Sequence, residues 1–134
     1  MTIAALLKAG LTADSGITAI VGTRIYPLVL SDNNPTLPAI TYQRISNTAQ
    51  KGTSDLRESR WQFSCWSKRR EGGNGYQESQ QLAAAVKTFL EEFNSTAQTP
   101  GIKQTLVVNE NDDYDDEAKV YRVIIDVILY TTGD

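Results

Sequence analysis

"KVYRVIIDVILYTT", residues 119–132, decides the fold. Tyr121, Val123, Ile125, Val127 and Leu129 form one row, and Val120, Arg122, Ile124, Asp126, Ile128 and Tyr130 form the other. A period-two run this rich in β-branched residues reads as a strand. Both of its rows are largely apolar, whereas a sheet with one solvated face shows a polar second row. The second face is therefore either covered by helices or meets another copy of the chain.

Working back along the chain, "IKQTLVVNE" (102–110) is the preceding strand, and "ENDDYDDE" (110–117) reads as the hairpin loop between the two. "LRESRWQFSCWS" (56–67) alternates, with Trp61, Phe63 and Cys65 on one face and Arg60, Gln62, Ser64 and Trp66 on the other. "AITYQRIS" (39–46) is a further strand, and the small, polar "NTAQKGTSD" (47–55) reads as a long, mobile hairpin tip. Residues 76–93 place Leu82, Val86, Phe89, Leu90 and Phe93 on one helical stripe. At the N-terminus Ile3, Leu6, Leu7 and Leu11 have helical spacing. Asp14 or Ser15 caps a short second helix carrying Ile17, Ile20 and Val21, with Gly22 suited to its C-terminal end. "TRIYPLVL" (23–30) reads as a strand containing Pro27. A central strand needs that N–H, so Pro27 marks an edge strand or a strand broken at a bulge. The expectation is one α+β domain over residues 1–134, in the order α-α-β-β-β-α-β-β. Its mainly antiparallel sheet has about four to five strands, with N-terminal helices and one long amphipathic helix packed on it.

Composition removes many activities. The chain of 134 residues has no histidine, which excludes serine–histidine and cysteine–histidine catalysis and histidine-bearing zinc sites. Its single cysteine, Cys65, excludes an internal disulfide and fits reducing cytoplasm; its alternation with Trp61 and Phe63 marks a core thiol. No apolar run approaches the roughly 20 residues of a membrane span, and the first residues read as fold, not as a signal peptide. The net charge of −3 conceals one acidic cluster: Glu110, Asp112, Asp113, Asp115, Asp116 and Glu117 are six of the sixteen acids. The remaining ten acids are outnumbered by the thirteen bases. Adjacent pairs of aspartates without an intervening glycine do not fit a calcium loop. The cluster reads as a solvated tip whose charge discourages edge pairing, or as an electronegative rim or lumen in an oligomer that repels DNA phosphates. "SKRREGGNG" (67–75) lacks the order of a phosphate loop, so Lys68, Arg69 and Arg70 read as a solvated corner or a subunit contact. Tyr26, Tyr42, Trp61 and Trp66 could stack bases, but Trp61 reads as core and Trp66, on the opposite row, as interface.

The order of these stretches resembles a known family. "AALLKAG…GITAIVGTRIYPLVL", "LPAITYQRIS", "RWQFSCWSKRR" and "QLAAAVKTFL" together resemble the small tail-completion proteins of long-tailed bacteriophages and prophages, which include tail terminators and neck (head–tail joining) proteins. The family's Val-Gly-x-Arg-Ile-Tyr-Pro-like stretch is matched by Val21, Gly22, Arg24, Ile25, Tyr26 and Pro27. Its Leu-Pro-Ala-Ile-x-Tyr-like strand is matched by Leu37, Pro38, Ala39, Ile40 and Tyr42, and its Cys-Trp by Cys65 and Trp66. The lengthened "EGGNG" turn and the acidic last hairpin depart from the pattern.

The resemblance implies a virion assembly protein without catalytic residues, metal or cofactor. It would form a ring, often hexameric, at the head-proximal end of the tail tube. Its partners would be itself, the tail tube protein and the head–tail connector, with no sequence-specific nucleic-acid binding and no membrane. It would reside in the virion's tail or neck, and in the host bacterial cytoplasm during assembly. Arg24, Tyr26, Pro27, Trp66, Arg69, Arg70, Ile124, Ile128 and Tyr130 are the candidate interface residues, and Pro27 would limit strand addition so that the ring closes. Two neighbouring roles remain open at this point, a connector and a tube subunit. From other classes, a metal-dependent enzyme using residues 110–117 and a nucleic-acid regulator using Lys68, Arg69 and Arg70 are the alternatives.

Overall fold

The computed structural model describes residues 2–30, 35–49, 56–68, 73–94 and 100–133. Helix α1 spans Ile3–Ala13 and α2 Ser15–Val21. The Thr2 hydroxyl caps α1, accepting from the Ala5 N–H at 3.1 Å. Asp14 separates the helices: its extended backbone ends α1, and its carboxylate caps α2 by accepting from the Ile17 N–H at 3.1 Å. The two axes differ in direction by 81°. Gly22, at φ 59° and ψ −122°, takes a positive-φ conformation that suits glycine and ends α2, its N–H donating to the Thr18 carbonyl. No single described helix is long and apolar enough to cross a membrane.

Strands β1 (Ile25–Pro27), β2 (Ala39–Ala49) and β3 (Leu56–Lys68) follow, then α3 (Gly75–Glu92), β4 (Gly101–Asp115) and β5 (Val120–Thr132). They form one sheet in the order β1-β2-β3-β5-β4; the β1–β2 pair is parallel and the others antiparallel. The α+β class and the element order are as the apolar spacing predicts. The three helices and one sheet face share a single core: Leu7, Leu11, Ile17, Leu82 and Leu90 pack with Phe63, Cys65, Ile125 and Leu129, all fully buried. Gly75 starts α3 where the helix touches the sheet. A Cβ there would lie 2.6 Å from the Lys68 carbonyl oxygen and 2.9 Å from the Tyr121 ring.

Three expectations change. The strand predicted over 23–30 stops at Pro27, because Leu28 adopts φ 65° and turns the chain away after donating its N–H to the Tyr42 carbonyl at 2.9 Å. The acidic stretch is not a loop. Glu110, Asp112, Asp113 and Asp115 lie in β4, and only Asp116 and Glu117 fall in the turn. β5 is paired along its whole length with β3 on one side, and β4 satisfies its other side as far as Asp115↔Val120. The tip predicted over 47–55 begins as strand, with Asn47, Thr48 and Ala49 in β2; residues 50–55 lie outside the described residues.

Candidate assembly surfaces

The β1 edge holds Arg24, Tyr26 and Pro27. The Arg24 guanidinium turns inward, Nε donating to the Pro38 carbonyl at 2.8 Å and Nη2 to the Ile20 carbonyl at 3.4 Å, so it ties the end of α2 to the segment entering β2. Pro27 is exposed. Backbone N–H groups alternate sides along a strand, and that of Leu28 points inward to Tyr42. The missing N–H of Pro27 therefore belongs to the outer side, where it costs no ladder bond. The N–H of Ile25 is consumed locally by the Thr23 carbonyl at 2.9 Å. The outer edge of β1 thus offers no donor from either residue, and a strand arriving there finds little to pair with.

The sheet face opposite the helices is the second surface, and no helix covers it among the described residues. Trp66, Ile124, Ile128 and Tyr130 lie on it; Ile128 is 8% exposed and the other three are half-buried. The Arg122 guanidinium sits 5.0 Å above the Trp66 ring and donates from Nη2 to Asp113 Oδ2 at 3.1 Å. Its Nε is buried without a partner. Trp66 Nε1 donates to Thr41 Oγ1 at 2.9 Å. Asp126 accepts from the Gln62 and Asn109 side-chain amides, each at 3.3 Å. Arg122, Asp113 and Asp126 of this face are engaged within the chain, while Arg60 stays exposed on it. Arg69 and Arg70, the remaining interface candidates, lie outside the described residues.

Two of the three register shifts among the described residues of the sheet shape this face. The register shifts between Arg44 and Ser46 in β2 and between Val107 and Asn109 in β4. They flank the same cross-strand row, Arg44–Trp61–Val127–Val107. The bulged residues, Ile45 and Val108, are 52% and 47% exposed. They stand at either end of a trough of about 490 Å³ whose floor includes Arg60, Gln62, Asn109 and Asp126. Sequence reading missed both, since a bulge shows only when two strands are aligned.

The acidic hairpin is the third surface. Glu110 pairs with Lys87 of α3 at 2.6 Å, Asp116 pairs with Lys119 at 3.0 Å, and Asp112 accepts from the Tyr76 hydroxyl. That hydrogen bond is the first cause holding the Tyr76 phenol above its ordinary pKa, ahead of burial and of the Asp112 and Glu110 charges. Asp115 Oδ1 closes the turn by accepting from the N–H groups of Glu117 and Ala118 at 3.0 and 3.2 Å. Six carboxylates meet three pairing bases, Lys87, Lys119 and Arg122, so the hairpin stays electronegative. Among the described residues no three acidic or cysteine side chains converge on a point that could hold a metal ion.

The aromatic residues do not form one platform. Trp61 is buried on the helix-facing side with its Nε1 donating to Ser59 Oγ at 3.0 Å, and Tyr42 is buried on the same side, whereas Trp66 lies on the open face. Cys65 is fully buried, and burial first, then the Glu110 charge, pushes its thiol pKa far up, against a lowering from Lys87. Below roughly pH 8.5, the ordinary thiol pKa, both folded and unfolded chains keep the proton. Above it only the unfolded chain releases one, so Cys65 lowers stability by up to about 1.4 kcal/mol per pH unit. Urea unfolding of the wild type and Cys65→Ala between pH 8 and 9.5 should show a steeper decline for the wild type; parallel slopes would refute it.

No curated protein matches the chain. Among solved structures, a chain of the "virion of native gene transfer agent (GTA) particle" superposes with a TM-score of 0.77. Its sequence identity is 15%, over 95% of this chain and 92% of that one, so the likeness is one of fold. The family model described as "Tail completion protein gp17" matches residues 4–132. A match over nearly the whole length, on a fold that a virion component shares, shows that the chain belongs to the tail completion protein gp17 family, structural proteins of the phage tail and neck.

Proposed function

We propose that the protein closes into a ring, hexameric by the family resemblance, at the head-proximal end of the tail tube. There it ends tube growth and gives the head–tail connector a surface to dock on. The observation that carries this is the sheet face that no described helix covers, with Trp66, Arg122, Ile124, Ile128 and Tyr130 half-buried or buried in the single chain and Arg122 held by Asp113 and Trp66. Such a face fits protein neighbours better than solvent. No catalytic step is assigned, because the chain has no histidine and four of its six clustered acids are engaged with Lys87, Tyr76, Lys119 and Arg122. The acidic hairpin suits a rim or lumen along which DNA passes without sticking.

Light scattering over a concentration range tests the reading. The expected result is one discrete mass, a small multiple of the 14.8 kDa chain, reached at high concentration and not exceeded. Continuous growth would instead favour a tube subunit, and a strict monomer throughout would count against self-assembly.

A further inference from the structure

We infer that neighbouring copies meet head to tail, the outer edge of β4 in one copy lying against the side of β2 that β1 leaves uncovered in the next. The inference rests on the self-assembly proposed above and names its contact. β1 follows β2 only as far as Pro27↔Tyr42, and beyond Tyr42 no strand lies beside the outer edge of β2 among the described residues. At the other border of the sheet, β4 is the last strand. The registers place these two borders level with each other: Arg44 lies on the row of Val107 and Ser46 on that of Leu106.

The exposed apolar side chains concentrate on the same two borders. Leu28 and Val29, 64% and 70% exposed, and Ile45 stand beside β1 and β2; Leu106 and Val108 stand on β4. Charge does not oppose the contact. β1 and β2 carry no acid, and Arg44 of β2 is exposed. The far half of β4 carries Glu110, Asp112, Asp113 and Asp115, and by register Glu110 and Asp112 are level with Pro27 and Ile25 of β1. An unstaggered neighbour thus sets acids beside the β1 side and apolar residues beside the uncovered part of β2. Because β1 offers no outward donor, and bulges interrupt both borders, side-chain packing supplies the contact and an extended ladder does not. Two different patches on one chain make a heterologous interface, which closes into a ring when the rotation allows.

The test uses two full-length variants, Ile45→Lys and Val108→Lys, both at exposed positions. Each alone should keep the wild-type melting temperature yet sediment as a monomer. Mixed in equal amounts they should stop at twice the monomer mass, since one intact contact remains and the second would bring two lysines together. Variants that still assemble as the wild type does would overturn the contact and leave the ring reading standing. Monomers that stay monomers when mixed would overturn its head-to-tail nature. Open-ended growth of the wild type, abolished by both changes, would keep the contact and discard the closed ring. A wild type that never assembles would remove both.

Discussion

Phe63→Ala is expected to lower the stability of the chain by about 3–5 kcal/mol, and its melting temperature by something on the order of 10–20 °C. Phe63 has no exposed surface. It stands mid-strand in β3, with Tyr42 in register on one side and Ile125 on the other, facing the helical layer. Truncation leaves a void beneath the helices that a sheet paired on both sides cannot collapse to fill. The expected loss is a large share of the ~5–15 kcal/mol that holds a domain of this size. Trp66→Ala is the matched comparison. Trp66 lies on the same strand but on the open face, half-buried, with one hydrogen bond to Thr41 and one contact to Arg122. Its removal should cost well under half as much in the isolated chain. Urea titration of both variants decides the matter: equal losses would mean that the open face is as tightly packed as the core, and the case for a free surface there would fall.

How much of this was legible in the sequence depends on where the cause of each feature lies. The helices were legible, because Leu6, Leu7, Leu11, Leu82, Val86 and Leu90 mark their buried stripes and Asp14 and Gly22 mark their ends locally. The alternation of Trp61, Phe63 and Cys65 gave the buried row of β3 directly. Composition favours a loop over the acidic stretch, while the unpaired side of β5 requires a strand; a tertiary demand overrides a local preference. The early end of β1 depends on a positive φ at Leu28, which a leucine does not advertise. Of the surface, period alone puts Trp66 on the row opposite Trp61, and Ile124, Ile128 and Tyr130 on one row of their own strand; that the two rows share a face follows only from the β3–β5 register. Ile45 and Val108 could not be placed from period, since each is defined by a register shift against its neighbour strand. Arg24 matched a family stretch, yet its guanidinium is spent on the Pro38 and Ile20 carbonyls, so the sequence marked the position and not its task.

Pro27→Val is expected to leave the isolated fold nearly as stable while changing how copies associate. The side chain is exposed and the bond between the Leu28 N–H and the Tyr42 carbonyl does not involve the residue 27 nitrogen, so no ladder bond within the chain is lost or gained. Greater freedom of the unfolded chain should cost about 0.4–1 kcal/mol. What changes is the outer side of β1. With Ile25 already donating to Thr23, valine supplies the one N–H that points outward from this edge, on a residue that favours strands, beside the exposed Leu28 and Val29. An edge that was blunt becomes a place where another chain's strand can add. Light scattering and turbidity should therefore show polydisperse, concentration-dependent growth in the variant where the wild type gives a single mass. Should Pro27→Val reproduce the wild-type mass and solubility at every concentration, the proline has no part in limiting assembly, and its place in the strand reflects only that an edge tolerates it.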